Sequence, residues 1–308
     1  MPIRHKLSIA VALTVAHPAA AQQHADTATI RTVTIDGHAV RVQVAGLERR
    51  RPGEPIVVFE AGATNALEVW RHVLPSVAAR APVVAYDRAG LGRSEWDSVP
   101  PTPEHVAGRL HRLLQAIGAG PPYVLVGFSW GGVLVRYFAG YHPESIAGLV
   151  LVDPGPIVTA TLAEELAPFD SIGAGRAGYE AYWAATANLL RRAPPAAQAE
   201  LTVLRRLMEL EPAERGLRPL PEVPVVVLLA GKYLPLPLEV SFDLRAHFEV
   251  NLRHRVRHLQ EWALASPEGA VVVSRRSTHA MPREEPGLIV WAIERVLAAR
   301  APRPGSPR

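Results

Sequence analysis

The stretch YVLVGFSWGG, residues 123–132, decides the fold of this chain. Its apolar, β-favouring residues run into a Gly-x-Ser-x-Gly sequence, and an apolar segment compatible with a helix follows. Between a strand and a helix, this sequence is typical of a sharp turn that strains the backbone of the serine. Gly127 and Gly131 lack the Cβ atoms that would clash in such a turn. The pattern predicts that Ser129 presents its hydroxyl above the sheet, beside a helix N-terminus; an ordinary glycine-rich turn is the alternative.

The composition limits the class of protein. The chain has 308 residues, of which 48% are hydrophobic, enough for one large α/β domain or two small ones. It has no cysteine, which excludes disulfides, thiol redox chemistry and cysteine-based metal sites. The formal net charge is only +4, so no nucleic-acid partner is expected. The richest basic run, residues 253–258, is interleaved with apolar residues, and we interpret it as the solvated face of a helix; binding of an acidic ligand is the alternative.

The first 21 residues have the pattern of a secretory signal peptide. A short basic region precedes an apolar segment that is too short to span a bilayer as a mature helix, and small residues follow it. We expect cleavage before Gln22, export to the periplasm or the medium, and no stable membrane insertion afterwards; an uncleaved anchor or apolar tail is the alternative. Residues 22–29 are predicted to be disordered, and residues 301–308 are predicted to form a flexible tail.

Strand and helix signals alternate along the rest of the chain. Alternating apolar and polar residues on both sides of Asp36-Gly37 predict a β-hairpin. Further strands are expected at residues 56–59, 83–86, 123–128, 146–152, 223–229 and 270–273, and helices at 67–80 (broken at Pro75), 103–117, 177–192, 196–211, 244–266 and 286–299. This alternation predicts right-handed βαβ units and a mostly parallel sheet with helices on both faces. Residues 155–220 lack strand signals, so we predict a helical insertion between two parts of one core, residues 30–154 and 221–300.

A serine hydroxyl becomes a useful nucleophile at neutral pH only if a base accepts its proton and an acid orients that base. His279 lies in a polar loop after the last predicted strand and before the final helix, where such a base belongs in this architecture; a surface-loop histidine is the alternative. The loop that begins with Asp87-Arg88 is expected to have a structural role, with loop hydrogen bonds and an internal ion pair.

The chain resembles serine α/β-hydrolases of the esterase/lipase type over residues 30–300. The similarity lies in FEAGA at 59–63, YDRAGLGRS at 86–94, VGFSWGG at 126–132, LVLVD at 149–153 and TH at 278–279, in the family's order. The resemblance implies the α/β-hydrolase fold and a site in which Ser129 is the nucleophile and His279 the base. It also implies an oxyanion hole formed by the backbone N–H groups of Ala63 and Trp130, which would bind the negative charge that grows on the substrate carbonyl oxygen.

The acid of this site is open between three carboxylates. Relatives often place it after the strand equivalent to residues 225–229, but no carboxylate follows that strand closely in this chain. We favour Asp153, at the end of the preceding core strand, where some relatives carry the acid; capping of the loop before Pro154 is the alternative. Asp243 and Glu239 are later candidates, which the proline-rich loop would have to bring back to the histidine.

The same resemblance implies that the helical insertion covers the site as a lid. Tyr179, Tyr182 and Trp183 are expected in it, either as the lining of an acyl pocket or as packing within the lid. No further residues of the insertion are assigned a role.

No cofactor and no metal are expected. The chain has no His-Glu-x-x-His sequence, and its one Gly-x-Gly-x-x-Gly sequence, residues 173–178, follows no predicted strand, as a nucleotide-binding loop would require. His247, His254 and His258 have helical spacing, but the sequence offers no evident third ligand.

These features predict a serine hydrolase that acts on small-molecule carboxylic esters with small-to-medium apolar acyl groups. The same machinery would serve amide or carbon–carbon bond hydrolysis, acyl transfer or perhydrolysis, and a non-catalytic hydrolase-like binding protein is a further alternative. The sequence does not predict an oligomeric state.

Overall fold

The computed structural model describes residues 28–156, 158–235 and 242–299. The predicted signal peptide, the predicted disordered stretch up to residue 27, the candidate acid Glu239 and the predicted tail lie outside the described residues. Within the described ranges, no helix combines the length and the apolar character required to cross a bilayer.

One sheet of eight strands forms the centre of the described structure. The strands are β1 (Thr29–Ile35), β2 (His38–Ala45), β3 (Ile56–Glu60), β4 (Val83–Tyr86), β5 (Tyr123–Phe128), β6 (Ile146–Val152), β7 (Val225–Ala230) and β8 (Ala270–Ser274). Their spatial order is β1-β2-β4-β3-β5-β6-β7-β8. The pairs β1–β2 and β2–β4 are antiparallel and the other neighbours are parallel, which confirms the predicted mostly parallel sheet with an antiparallel start.

The antiparallel start is a hairpin with a two-residue turn. Asp36 and Gly37 both have positive φ, 53° and 83°, as the tight turns of β-hairpins require. Glycine adopts such angles without strain and aspartate tolerates them, so the local sequence selects the turn. The predicted hairpin is confirmed. Thr29, which we expected to be disordered, already pairs with Val44 as the first residue of β1.

Helices cover both faces of the sheet. They are α1 (Leu74–Ala78), α2 (Pro103–Ala116), α3 (Trp130–Tyr141), α4 (Leu162–Asp170), α5 (Gly175–Leu190), α6 (Pro195–Glu209), α7 (Leu244–Leu264), α8 (Met281–Glu284) and α9 (Pro286–Ala299). Side chains of α2, α3 and α7 belong to the apolar cluster on one face, and those of α1 and α9 to the cluster on the other. Strands β3 to β7 are buried along their whole length because helices shield both of their faces.

Two helical segments differ from the sequence prediction. Residues 67–80 form a 3₁₀ turn, Leu67–Trp70, and then α1, which has Pro75 in its first turn, so the predicted helical segment is interrupted just before Pro75. Proline has no N–H to donate, and the first turn of a helix needs none. Helix α4 was not predicted. Thr161 and Glu164 form a capping box at its start, and that Thr-x-x-Glu pattern is the sequence signal that would have located it.

The helical insertion, residues 155–220, lies between β6 and β7 and carries α4, α5 and α6. Helix α6 lies over the start of α3. Leu207, with Val203 and Leu204, joins a cluster that contains Trp130 and Val133. The insertion is therefore packed onto the helix that follows the Gly-x-Ser-x-Gly turn.

Candidate active site

The turn between β5 and α3 strains the backbone of Ser129. Ser129 has φ of 54° and ψ of −121°, outside the regions that residues other than glycine usually adopt. A Cβ on Gly127 would lie 2.4 Å from the Gly131 carbonyl oxygen, and one on Gly131 would lie 2.3 Å from that of Glu60. Both positions therefore require glycine, and the predicted sharp turn is present. The strain is held by the packed strand and helix on either side.

His279 meets Ser129 from the loop between β8 and α8. Its Nε2 lies 3.0 Å from Ser129 Oγ, within hydrogen-bond distance. The preceding residue anchors this loop, because the Thr278 N–H donates to Glu284 Oε2 at 2.8 Å. The imidazole packs near the Phe128 ring, at 4.9 Å between ring centroids, and 60% of its side chain remains accessible. The ring is thus oriented by its neighbours and still reaches solvent.

Asp153 meets the other nitrogen of His279. Its Oδ2 lies 2.5 Å from His279 Nδ1, and its Oδ1 accepts a hydrogen bond from the Ala230 N–H at 3.1 Å. The carboxylate is buried, and Asp153 itself has φ of 44° at the end of β6. The structure therefore joins the three predicted residues in one chain of hydrogen bonds, from Asp153 through His279 to Ser129.

Arg255 completes the surroundings of Asp153. From α7, its Nη2 lies 2.9 Å from Asp153 Oδ1 and donates to the Pro154 carbonyl oxygen at 2.7 Å. Burial by itself raises the pKa of the Asp153 carboxyl. The Arg255 charge and the hydrogen bond with His279 outweigh it and hold that pKa well below its usual range. Asp153 is therefore ionised wherever the protein is folded at ordinary pH.

The interpretation of residues 253–258 as a solvated helix face is wrong for two of them. Arg255 reaches the carboxylate just described, and His254 is buried against the insertion. Apolar residues at helical spacing correctly predicted a helix, but they could not tell which side of α7 faces β6 and the insertion. Arg253, by contrast, is exposed.

Of the two other candidate acids, only Asp243 lies within the described residues. Asp243 is the N-cap of α7, where its Oδ1 accepts hydrogen bonds from the Arg245 and Ala246 N–H groups at 2.8 and 3.3 Å. This exposed side chain is not brought to His279. Glu239 lies outside the described residues. Asp153 is thus the candidate that meets the histidine within the described part of the chain.

The two predicted oxyanion-hole donors lie beside the turn. Trp130 is the first residue of α3, so its N–H has no partner within the helix. Ala63 belongs to the loop after β3, which packs against the turn: a Cβ on Gly62 would lie 3.1 Å from the Phe128 ring. Ala63 and Trp130 contact the same apolar cluster. Within the described residues neither N–H donates to a protein acceptor, and their catalytic role stays a prediction.

The three aromatic residues of the insertion pack within the insertion. Trp183 is buried and lies edge-on to Tyr179 and Tyr182, with ring centroids 6.0 and 5.4 Å apart. The Arg205 guanidinium of α6 lies 6.0 Å from the Trp183 ring. Tyr182 is half exposed. Among the described residues, no ring contact of these side chains includes Ser129 or His279, and their role as the lining of an acyl pocket stays a prediction.

One cluster outside this site has the ligand types of a metal centre. Glu165 of α4 meets His254 and His258 of α7, and their ligand atoms lie within 4.8 Å of one another. The sequence did not indicate it, because Glu165 comes from the unpredicted helix. Burial raises the pKa of Glu165 to about 8, and burial lowers that of His254 to about 4, so both are neutral at pH 7.

A hydrogen bond between neutral groups explains this contact without a metal ion. Glu165 Oε1 lies 3.2 Å from His254 Nε2, a distance that a protonated carboxyl bonded to a neutral imidazole satisfies. The charges of Arg215 and Arg255 act on Glu165, and that of Arg257 acts on His254. Three nearby cations oppose the binding of a divalent ion here.

Comparison with known proteins identifies the family. A family model described as alpha/beta hydrolase fold matches residues 55–220, more than half of the chain. An AB hydrolase superfamily protein of Gibberella zeae is 26% identical over 296 residues, which cover 83% of this chain and 90% of that protein. Uncharacterized protein YqjL of Bacillus subtilis and lipase LipV of Mycobacterium tuberculosis are each 33% identical over 124 residues.

These two local matches cover only part of each protein. They span 40% of this chain and 47% of YqjL, and 39% of this chain and 45% of LipV, so the chain aligns with about half the length of these relatives. Among solved structures, the crystal structure of DBJA has a TM-score of 0.63 at 17% identity, over 89% of this chain and 98% of that chain. That likeness shows the fold, and together with the family match it leads to one conclusion: the chain belongs to the alpha/beta hydrolase fold family.

Proposed function

We propose that this protein is a serine hydrolase that cleaves carboxylic esters through an acyl-enzyme intermediate. The observation that carries the proposal is the hydrogen-bonded chain from Asp153 to His279 Nδ1 at 2.5 Å and from His279 Nε2 to Ser129 Oγ at 3.0 Å. Nucleophile, base and orienting acid are the three groups that acyl transfer by serine requires. The name of the relative LipV, a lipase, supports an ester substrate.

Each residue has one task in the proposed reaction. His279 Nε2 accepts the proton of Ser129 as Oγ attacks the substrate carbonyl, while ionised Asp153 stabilises the imidazolium that forms. The N–H groups of Ala63 and Trp130 donate to the oxyanion. His279 then gives the proton to the leaving alcohol. Water repeats these steps on the acyl-enzyme, with its proton passing to His279, and releases the acid and free Ser129.

The exposure of His279 is compatible with hydrolysis. With 60% of its side chain accessible, the imidazole can contact a water molecule for the second half of the reaction. The Phe128 ring beside it and the apolar cluster around Trp130 and Val158 give the surroundings of Ser129 an apolar character. We therefore propose esters with small-to-medium apolar acyl groups as substrates.

Two measurements test this proposal. A fluorophosphonate probe should label the protein on Ser129, as located by mass mapping of the labelled peptide, and Ser129→Ala should abolish labelling. A panel of p-nitrophenyl esters from acetate to octanoate, with matching p-nitroanilides, should show turnover of the esters. Absence of labelling in the unmodified protein would contradict the serine mechanism. Labelling with faster turnover of the anilides would replace esters by amides as the substrate class.

We also propose that the mature protein is exported after removal of residues 1–21. The proposal rests on the signal-like sequence of those residues. Expression of the full chain in a Gram-negative host, followed by fractionation and N-terminal sequencing, should find a periplasmic or secreted protein that begins at Gln22. A cytoplasmic protein that retains Met1 or Pro2 would contradict it.

A further inference from the structure

A second cluster of charges lies beneath the loop that carries Ala63. Glu60 of β3, Arg88 after β4 and Glu200 of α6 are all buried, with at most 4% of each residue exposed. Arg88 Nη1 donates to Glu60 Oε1 at 2.7 Å, and Arg88 Nε donates to Glu200 Oε1 at 2.6 Å. The expected ion pair of Arg88 is present, but one of its two partners comes from the helical insertion.

Glu200 lies in the middle of an otherwise apolar helix face. Ala196 and Ala197 precede it by about one turn and pack on Leu91, and the side chains one and two turns later pack over α3. A buried carboxylate at such a position is costly unless charge and hydrogen bonds compensate it. A leucine would suit the packing of this face, so the carboxylate calls for an explanation through its partners.

Those partners leave no donor of Arg88 unused. Besides the two carboxylates, Arg88 Nη1 donates to the Ala61 carbonyl oxygen and Nη2 to that of Gly62, each at 2.7 Å. Nη2 also donates to Glu200 Oε2 at 3.0 Å. All five N–H groups of the guanidinium therefore have acceptors. Two of these acceptors are backbone carbonyls of the loop, so the cluster is hydrogen-bonded to the loop backbone itself.

The hydrogen bond from Arg88 to the Gly62 carbonyl determines which way the Ala63 N–H points. The Gly62 carbonyl and the Ala63 N–H belong to one trans peptide unit, in which they point in opposite directions. Because Arg88 binds the carbonyl, the N–H is directed away from Arg88. On the other side of Ala63, the Thr64 N–H donates to Glu200 Oε2 at 2.7 Å. Both peptide units that flank the Ala63 side chain are thus held by the cluster.

The backbone conformation of Thr64 shows why the loop needs these hydrogen bonds. Its φ is 62°, in the left-handed region that residues other than glycine enter at a cost. Without the carboxylate that accepts its N–H, Thr64 would gain by relaxing to an ordinary conformation, and the peptide before it would turn as well. Glu200 and Arg88 hold the strained loop, together with the Asn65 N–H, which donates to the Gly62 carbonyl oxygen at 3.1 Å.

We propose that Glu200 and Arg88 are positioning residues that hold the Ala63 N–H toward the oxyanion, so that an insertion helix sets the geometry of the oxyanion hole. This inference rests on the function proposed above. Because Glu200 belongs to α6, a shift of that helix by about 1 Å lengthens its hydrogen bond to Thr64 beyond the usual range and releases the loop. The lid and the oxyanion hole are coupled through one carboxylate.

The test compares Glu200→Gln with Glu209→Gln in the full mature chain. Glutamine keeps the size of Glu200 but sets an amide donor against the Arg88 or Thr64 donors. Glu209 is on the same helix and pairs with Arg205 at the surface, so it controls for any carboxylate lost from α6. Glu200→Asp, which keeps the charge on a shorter side chain, should give an intermediate result.

Two measurements separate the clamp, by which we mean the hydrogen bonds of Glu200 and Arg88 to residues 61–64, from the chemistry at Ser129. Hydrogen–deuterium exchange of the peptide that spans residues 60–66 should be about 10-fold faster in Glu200→Gln than in Glu209→Gln, with the core strands unchanged. On the best p-nitrophenyl ester, kcat should fall about 10- to 100-fold while KM changes less than about 3-fold, because the oxyanion forms only in the transition state.

Unchanged exchange of residues 60–66 in Glu200→Gln overturns the clamp. Faster exchange with unchanged kcat overturns its catalytic role. If the unmodified protein turns over no ester, faster exchange still supports the clamp while the proposed function fails. If Glu200→Gln does not fold, Glu200→Asp takes its place, and exchange in that variant equal to the Glu209→Gln value contradicts the proposal.

Discussion

Two clusters flank the turn at Ser129, and in each an arginine pairs with a buried carboxylate. They differ in whether the cluster reaches solvent. In one, Arg255 and a backbone N–H bind a single carboxylate, Asp153, whose other oxygen meets a largely exposed histidine. In the other, Arg88 lies between two buried carboxylates and has acceptors for all of its donors. One cluster opens to solvent through a titratable ring, and the other is closed.

The difference separates two demands on a site of this kind. A group that moves protons must be able to exchange them with water, and 60% of the His279 side chain is accessible. A group that positions a backbone donor must not change, and a buried, fully bonded guanidinium neither titrates nor rotates freely. The open cluster is thus suited to chemistry, and the closed cluster to rigidity. Four substitutions test this division.

The largest effect is expected from Asp153→Asn. The amide keeps the shape of the side chain but favours the wrong histidine tautomer and cannot stabilise the imidazolium, so kcat on a p-nitrophenyl ester should fall about 10³- to 10⁴-fold. Asp243→Asn is the matched control, because asparagine caps a helix about as well as aspartate. The recorded hydrogen bonds of the Asp243 side chain are with the start of α7 and not with His279. Near-normal turnover of Asp153→Asn would refute its role.

Breaking the closed cluster should cost stability. Arg88→Met leaves Glu60 and Glu200 buried without their cation, and the loss should be about 3–5 kcal/mol in the free energy of unfolding at pH 8. Burial already raises the pKa of Glu60 and Arg88 opposes that rise, so without Arg88 the carboxyl takes up a proton more readily. The loss should therefore shrink as the pH falls toward 5. Urea unfolding at several pH values measures it.

The exposed Arg93 provides the control for this substitution. Arg93→Met removes one positive charge from the same loop without unpairing a buried carboxylate, so its stability should stay within about 0.5 kcal/mol of the original. If both variants lose the same stability, the closed cluster has no special share in holding the fold.

Arg255→Gln should have a smaller effect on stability with a characteristic pH dependence. The folded-state pKa of Asp153 is depressed, so its contribution is fully present above the unfolded value of about 3.9 and is lost only as the pH falls below it. Without Arg255 the folded pKa of Asp153 rises, because His279 and the Ala230 N–H are the partners that remain among the described residues. We expect a loss of about 1–3 kcal/mol at pH 7 and acid unfolding that begins at higher pH.

Arg253→Gln, on the exposed side of the same helix, is the comparison for Arg255→Gln. It should leave both the stability at pH 7 and the acid unfolding midpoint nearly unchanged. Circular dichroism between pH 2 and 7 follows both variants. An acid midpoint in Arg255→Gln that matches the Arg253→Gln value would show that Asp153 does not depend on this cation.

The smallest effect is expected from Ser277→Ala. Ser277 is buried two residues before His279, and within the described residues its hydroxyl has no hydrogen-bond partner. Removal of an unsatisfied hydroxyl should change the free energy of unfolding by less than about 1 kcal/mol and kcat by less than about 2-fold. A large fall in kcat would mean that the Ser277 hydroxyl also takes part in the open cluster of Arg255, Asp153 and His279.

Much of the fold followed from local patterns. The Asp36-Gly37 turn, the buried strands and the glycines at positions 127 and 131 all express short-range constraints that a sequence shows directly: positive φ, apolar runs and the absence of a Cβ. The capping box of α4 is a local pattern of the same kind. The interruption predicted at Pro75 is present just before that residue, because a proline ring clashes with the carbonyl four residues earlier but is accepted in the first turn of a helix.

The arginine partners could not be predicted in the same way. Arg255 is 102 residues from Asp153 along the chain, and Glu200 is 112 residues from Arg88. Arg255 was interpreted as part of a solvated helix face and Glu200 was assigned no role, since charged side chains on helices are usually exposed. Only the packing of α7 and α6 onto the core turns them inward. No composition or spacing rule indicates which face of a helix a distant strand will meet.

By itself the sequence determined the strained turn at Ser129, the mostly parallel sheet beneath it and the order of serine, acid and histidine candidates, because these depend on neighbouring residues and on the polarity pattern along the chain. The tertiary structure decided which carboxylate meets His279, where Asp243 is used instead, and that an insertion helix reaches the loop of Ala63. Those are contacts between elements far apart in the chain, and they exist only once the sheet and its helices have packed.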